Sequence, residues 1–461
     1  MMLLQDAPAK IKTFLKPLGK NITKTTRAYL VRLVMGFVFH MGRMSASQAA
    51  ETLRGRARHR AQVARFLAQC RWSKDWTECL WMATLLLQQE FASEPARGGR
   101  WVFILDQTYC SQQGVKTENT YSTGNRKRRP AKGRRYSKKK RATRTVHGFV
   151  VGLLLTPGGL RLPIGESYCT KEYCKAKKRP YRTQTEIAAD LVRQVWVPKH
   201  AEVVVLGDTA YDAASIRQAC QERGFTWVVP MNPERVLAGP KGQRPKVRTL
   251  LDGLQPESFV RVRFTPGKGA YAAHRRVSRY RVGPKAKSRT FYVHQERRAL
   301  HSIGMVTLVF STKEQPLKGQ PVSVQKILIS NSGLGASELV ELYDLRWQIE
   351  LLFKELKSTL GFHQYRFRRF ESVQTWLQAA LTTVLYLEWY RARMLRRRNL
   401  DAKAKEWWRW QRTYGLSRAI RQVAEQEDLG LLSKRLRRRR DKRKVAEQLR
   451  AAHPVEYRAA A

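Results

Sequence analysis

Four polar residues, Tyr343, Arg346, Glu350 and Lys357, recur through an otherwise apolar stretch at spacings of three, four and seven. At about 100° per residue they fall within roughly 60° of one helical face. Leu345, Ile349, Leu352, Phe353 and Leu356 fill much of the remaining surface, so the stretch reads as a helix packed on a core with its polar stripe turned to a cleft. Two further acids end buried apolar runs, Asp106 closing WVFILD and Asp208 closing AEVVVLGD. Carboxylates held rigidly at strand ends, tips toward solvent, suit hard cations such as Mg²⁺. Such ions stabilise the attacking and leaving oxygens when water or a 3′ hydroxyl displaces a phosphodiester. The residue types therefore point to metal-assisted phosphodiester chemistry, with Asp106, Asp208 and Glu350 as catalytic and metal-holding residues. Two plainer readings stand beside this one. Arg346 and Glu350 have the spacing of an ordinary helical ion pair. Asp212 is the alternative second acid, a turn beyond the strand end.

The elements that must position these residues fall into five segments. Residues 1–95 read as a helical DNA-binding domain: Leu30, Val34, Phe37 and Val38 recur at helical spacing, and two short helices, Met44–Leu53 and His59–Leu67, suggest a helix-turn-helix, with a plain helical bundle as the equal alternative. Residues 96–230 give strands and then alternating helices and strands, the first part of a catalytic core. Residues 231–333 alternate apolar and basic side chains with Gly and Pro punctuation, which predicts a β-rich insertion. Residues 334–390 return to helix as the second part of the core, and 391–461 form a basic helical C-terminal region. The fold class is α/β, a mixed sheet with flanking helices interrupted by that insertion.

Charge identifies the partner class. The chain of 461 residues carries 89 Lys and Arg against 36 Asp and Glu, a formal net charge of +53. A surplus of this size repels itself unless a polyanion neutralises it, and nucleic acid does so with release of condensed counterions. Twelve Lys and Arg lie between Asn125 and Thr145 with no acid among them. Arg126, Lys127, Arg128, Arg129, Lys138, Lys139, Lys140 and Arg141 read as a phosphate track in the loop leaving the Asp106 strand. A second basic run, Lys434–Lys444, lies near the C-terminus. No run reaches the roughly 18 apolar residues of a spanning helix, and no export signal opens the chain, so no membrane partner is expected. Six cysteines at irregular spacing read as reduced thiols of a cytoplasmic protein rather than a zinc site.

The stretch from Tyr343 to Lys357 resembles the signature of DDE transposases of the insertion-sequence type four family, Tyr-x₂-Arg-x₃-Glu-x₆-Lys, at all four positions. WVFILDQT resembles the context of that family's first Asp and VVVLGDTAYD that of its second, so the likeness spans about residues 45–390. It implies a ribonuclease-H-like core, dependence on Mg²⁺ or Mn²⁺, and a bacterial-type, nucleoid-associated location. It also implies binding to double-stranded DNA, both terminal inverted repeats and target, by a homodimer on paired ends. By the same likeness Asp106, Asp208 and Glu350 hold the metals, Arg346 and Lys357 contact the transposon-end backbone, and Tyr343 hydrogen bonds a phosphate. In hairpin-forming relatives an aromatic of the insertion, typically Trp, stacks a flipped base. Here no Trp lies between Trp227 and Trp347, which leaves Tyr271, Tyr280, Phe291 or Tyr292. The implied activity is end cleavage and strand transfer in cut-and-paste transposition. Its rivals are a transposase-derived DNA-binding protein without catalysis and a related metal-dependent nuclease.

Overall fold

A computed structural model describes residues 7–16, 23–40, 44–47, 60–70, 83–85, 88, 99–112, 117–123, 144–239, 245–264, 289–411 and 415–423. The chain divides into two compact units, Cys79–Phe353 and a second made of Met1–Glu78 with Lys354–Ala461. The basic residues Arg126–Arg129 and Lys138–Arg141, the C-terminal basic run and most of the first predicted helix-turn-helix element lie outside the described residues.

The unit Cys79–Phe353 is built on one ten-stranded sheet. Its axis is β1 (Trp101–Gln112), whose first five residues are all buried, as in a strand covered on both faces. Short β2 (Tyr121–Thr123) and β4 (Arg161–Ser167) both pair with β3 (Arg144–Leu155), and β3 runs antiparallel to β1 from Val102 opposite Leu155 to Gln112 opposite Thr145. On the other side β1 is parallel to β5 (Val203–Leu206), and β5 to β6 (Thr226–Pro230). Three antiparallel strands followed by two parallel ones form the ribonuclease-H-like mixed sheet. Parallel neighbours need a crossover, and the helix Ala214–Glu222 supplies the one between β5 and β6. It packs on the helix Gln184–Gln194, which starts at a capping box of Thr183 and Glu186 and buries Ile187, Ala188, Ala189, Leu191 and Val192.

The segment 231–333 continues this sheet. Strands β7 (Val260–Phe264), β8 (Arg289–Leu300), β9 (Gly304–Thr312) and β10 (Lys326–Ser330) are antiparallel in sequence-neighbouring pairs, and β10 pairs with β6. Backbone groups that an edge strand would leave open are thereby satisfied.

The other unit is helical. Its longest helix, Phe370–Arg396, has buried side chains almost throughout its length. The helix Lys24–Phe39 buries Leu30, Val34, Phe37 and Val38, the residues whose spacing predicted it, and Phe37 meets Trp376 with ring centroids 4.7 Å apart. Phe14 of the helix Ala7–Phe14 packs likewise on Tyr386 at 5.5 Å, and Tyr29 stacks on Phe66 of Arg60–Gln69 at 4.4 Å. Among the described residues no helix is long and apolar enough to cross a membrane.

Candidate active site

Strand register sets the first two acids side by side. Ile104 of β1 lies opposite Leu206 of β5, so two residues further along the parallel pair Asp106 comes level with Asp208. Neither acid stands at a strand end as the apolar runs suggested. β1 continues to Gln112 because β3 keeps pairing with it, whereas β5 stops at Leu206. Asp106 therefore lies within β1, at the point where its other neighbour leaves the sheet. Asp208 instead caps the single 3₁₀ turn Thr209–Tyr211, accepting from the Ala210 N–H at 2.9 Å. That turn needs Gly207, since a Cβ there would stand 2.6 Å from the Tyr211 Cβ. Tyr211 folds back into the core at 2% exposure, and among the described residues its hydroxyl has no hydrogen-bond partner.

Asp106 is electrostatically strained. Burial pushes its carboxyl up to about 6, and the charges of Asp208 and Glu350 push the same way, while the Gln107 N–H at 2.8 Å and Arg346 oppose the rise. The same acids raise the neighbouring phenols: burial, then Asp106 and Asp208, holds Tyr109 and Tyr211 above the usual tyrosine range.

The signature stretch is not the single helix that its spacing predicts. Ala336–Asp344 and Trp347–Lys354 are separate helices, joined by a turn at Leu345 and Arg346 that carries three-residue hydrogen bonds (Arg346 N–H to Tyr343 O 3.0 Å, Gln348 N–H to Leu345 O 2.9 Å). Neither proline nor glycine marks the break in sequence. A further departure follows at Glu355–Thr359, which is π-helical, with the Leu360 N–H donating to Glu355 O at 3.1 Å. Placing Arg346 in the turn frees its guanidinium to reach two carboxylates. One Nη donates to Glu350 Oε1 and the other lies 3.4 Å from Asp106 Oδ2. Burial works against the Arg346 charge, but Tyr343, Glu350 and Asp106 outweigh it and raise its pKa. Tyr343 is 8% exposed, and burial pushes its phenol up to about 12.

The unit Cys79–Phe353 thus brings together Asp106, Asp208, Tyr343, Arg346 and Glu350. Lys357 lies in the π-helical turn, which belongs to the other unit. The Asp212 carboxylate is buried in an ion-pair cluster with Arg217 (2.5 Å) and Arg235, which gives it a structural occupation. Of the aromatics considered for base stacking, Phe291 packs on Phe264 and the Tyr292 hydroxyl donates to Gln315 at 3.2 Å; Tyr271 and Tyr280 lie outside the described residues. Cys169, Cys174 and Cys220 are free thiols. Lys326 was not singled out in the sequence. Its Nζ lies over the Tyr343 ring, 4.7 Å from the centroid, but a lysine opening a strand carries no signal by itself.

Three hard carboxylates with like-charge strain at one of them suit a divalent cation. Among the described residues, however, no three His, Cys, Asp or Glu side chains converge on one ion position. Arg346 stands between Asp106 and Glu350 and supplies the positive charge, so closure of the acids on an ion requires its guanidinium to leave.

No curated protein matches the chain. Residues 176–386, which take in Asp208 and Glu350 and begin beyond Asp106, match the family model described as the transposase DDE domain. That stretch of the chain is thus similar to the DDE domain of transposases.

Proposed function

We propose that the protein is a cut-and-paste DNA transposase of the insertion-sequence type four kind, cleaving at transposon ends and joining the freed 3′ hydroxyl to target DNA. The observation that carries this reading is the level placement of Asp106 and Asp208 with Glu350 tied to Asp106 through one arginine. Asp106, Asp208 and Glu350 would hold Mg²⁺ or Mn²⁺, which when bound supplies Lewis-acid stabilisation of the attacking and leaving oxygens. Arg346, released from the acids, offers a planar fork to the scissile phosphate, and the Tyr343 hydroxyl donates a hydrogen bond to it. Lys357 and the basic residues Arg126–Arg129 and Lys138–Arg141 neutralise neighbouring phosphates. In this reading residues 1–95 contribute end recognition, 96–230 and 334–390 the catalytic core, 231–333 the insertion and 391–461 further backbone contacts, and two copies pair the two ends.

The test uses a duplex carrying the terminal repeat that flanks the coding region, with Mg²⁺ and a target plasmid. Unmodified protein is expected to nick at the repeat boundary and join the end to the plasmid. Asp106→Ala, Asp208→Ala and Glu350→Ala should each abolish both steps and leave end binding intact. Cutting without joining would favour a nuclease, and binding without cutting a DNA-binding derivative. A Glu350→Ala protein that cuts at the normal rate would remove the triad from consideration.

A further inference from the structure

Two ammonium groups stand near the end of the β9–β10 pair, and the acids that act on one of them, Lys326, are already engaged. Lys326 opens β10, and Lys313 follows directly on β9; both are exposed. Lys326 pairs across the ladder with Ser311, so Lys313, two residues on from Ser311, falls at the same end of the β9–β10 pair. The acids that act on Lys326 are Asp344 and Glu350, and each is bonded to an arginine, Asp344 to Arg289 and Glu350 to Arg346. Loss of surrounding water, together with the charges of Arg346 and Lys313, pulls the Lys326 ammonium below the ordinary lysine range against the pull of those acids. Its ammonium lies over the Tyr343 ring, 4.7 Å from the centroid. Three cations gathered around a partly dehydrated spot repel one another unless an anion joins them.

We propose that Lys326, seated on the Tyr343 ring, is a DNA-positioning residue that takes the backbone phosphate adjoining the one being cut, with Lys313 continuing the track at the end of β9. This rests on the reading of the site as one that cuts DNA. A compact ammonium suits the role, since it holds a phosphate as a point charge without demanding two aligned oxygens. Arg346 follows Tyr343 by three residues and its charge acts on Lys326, so a strand whose scissile phosphate meets the guanidinium carries its neighbouring phosphate toward Lys326. β10 is paired on both sides, which gives the anchor a rigid base.

The experiment measures binding in Ca²⁺ of a pre-cut duplex bearing the flanking terminal repeat, with single methylphosphonates placed in turn near the 3′ hydroxyl. Lys326→Gln should reduce the log–log salt slope by about 0.9, the amount expected when one phosphate is no longer neutralised. Lys326→Arg should restore most of it. One methylphosphonate position should weaken the unmodified protein as much as Lys326→Gln does, yet leave Lys326→Gln unaffected. An unchanged slope in Lys326→Gln, or equal losses at every methylphosphonate position in both proteins, would overturn the assignment. Glu350→Gln, which should bind this duplex but fail to cut an intact duplex of the same repeat in Mg²⁺, separates the two readings. If unmodified protein binds and never cuts, the cutting function fails on its own, and the methylphosphonate pattern still decides Lys326.

Discussion

Arg346 offers the sharpest test of the site. It bridges Asp106 and Glu350, so any cation entering between the acids competes with its guanidinium. At the 3.4 Å separation from Asp106, an effective dielectric of 20 gives a Coulomb attraction of about 5 kcal/mol. The three side chains keep 18%, 14% and 32% of their surface in water, and separating the pairs returns hydration to the charges. A net cost of about 1–2 kcal/mol for opening the bridge is therefore reasonable. Removing the arginine removes that cost and leaves three carboxylates repelling one another. Arg346→Ala should accordingly bind Mn²⁺ about 5–30-fold more tightly than the unmodified protein in the absence of DNA. Arg346→Lys should fall between the two. Titration calorimetry reads the affinity directly, and cleavage assays on the same proteins should show Arg346→Ala impaired because the scissile phosphate loses its fork. An Mn²⁺ affinity that is unchanged or weakened in Arg346→Ala would refute the competition and return Arg346 to a purely DNA-facing role.

Other expectations follow from individual side chains. His147 is fully buried, and burial lowers its pKa below 6.5 even though its Nε2 hydrogen bonds Glu118 O at 2.9 Å. A lowered folded pKa means that its contribution to stability is present above pH 6.5 and is lost as the pH falls through the folded value. His147→Gln should flatten the fall in denaturation midpoint below pH 6.5, and an unchanged profile would exclude His147 as a source. Tyr211→Phe deletes a buried hydroxyl that has no partner among the described residues, so Tm should rise by the equivalent of about 1 kcal/mol; a fall would mean the hydroxyl is satisfied. Gly207→Ala forces the new methyl against Tyr211 and should cost about 1–3 kcal/mol in urea denaturation, together with displacement of Asp208 and loss of cleavage. Neutralising Arg126–Arg129 and Lys138–Arg141 should lower the salt slope of duplex binding by about 0.9 for each phosphate that the run neutralises, and a constant slope would mark it as a solvated loop.

Local pattern carried much of the core. Apolar runs such as WVFIL and VVVL are buried strands because both sheet faces are covered, and that condition is written into composition. What composition does not contain is where pairing stops. Asp106 looks like a strand end because the apolar run ends there, yet β1 persists for six more residues on hydrogen bonds donated and accepted by β3. The arc shared by Tyr343, Arg346 and Glu350 assumes an unbroken helix, and the turn at Leu345–Arg346 has no breaker residue to announce it. The ordinary ion-pair reading of Arg346 and Glu350 is present in the structure, extended to Asp106 by a contact across 240 residues that no spacing rule reaches. Lys326 is illegible for the same reason, since its meaning depends on the ring it lies over.

One unit takes its helices from both ends of the chain, and this sets an order of events during synthesis. The helix Lys24–Phe39 emerges early, with ten of its sixteen residues destined for burial, but Trp376, against which Phe37 rests, lies more than 300 residues later. At about 5–20 residues per second, that apolar face waits roughly 20–70 s for its cover. The sheet unit, by contrast, lies within the continuous segment Cys79–Phe353 and completes its strands before the helical unit can close. A ribosome that stops before residue 370 releases a chain with the strands that carry Asp106 and Asp208 but with an open, sticky N-terminal helix, a natural substrate for holdase chaperones and proteases. A chain must therefore extend through the helix Phe370–Arg396 before the apolar face of Lys24–Phe39 can be covered.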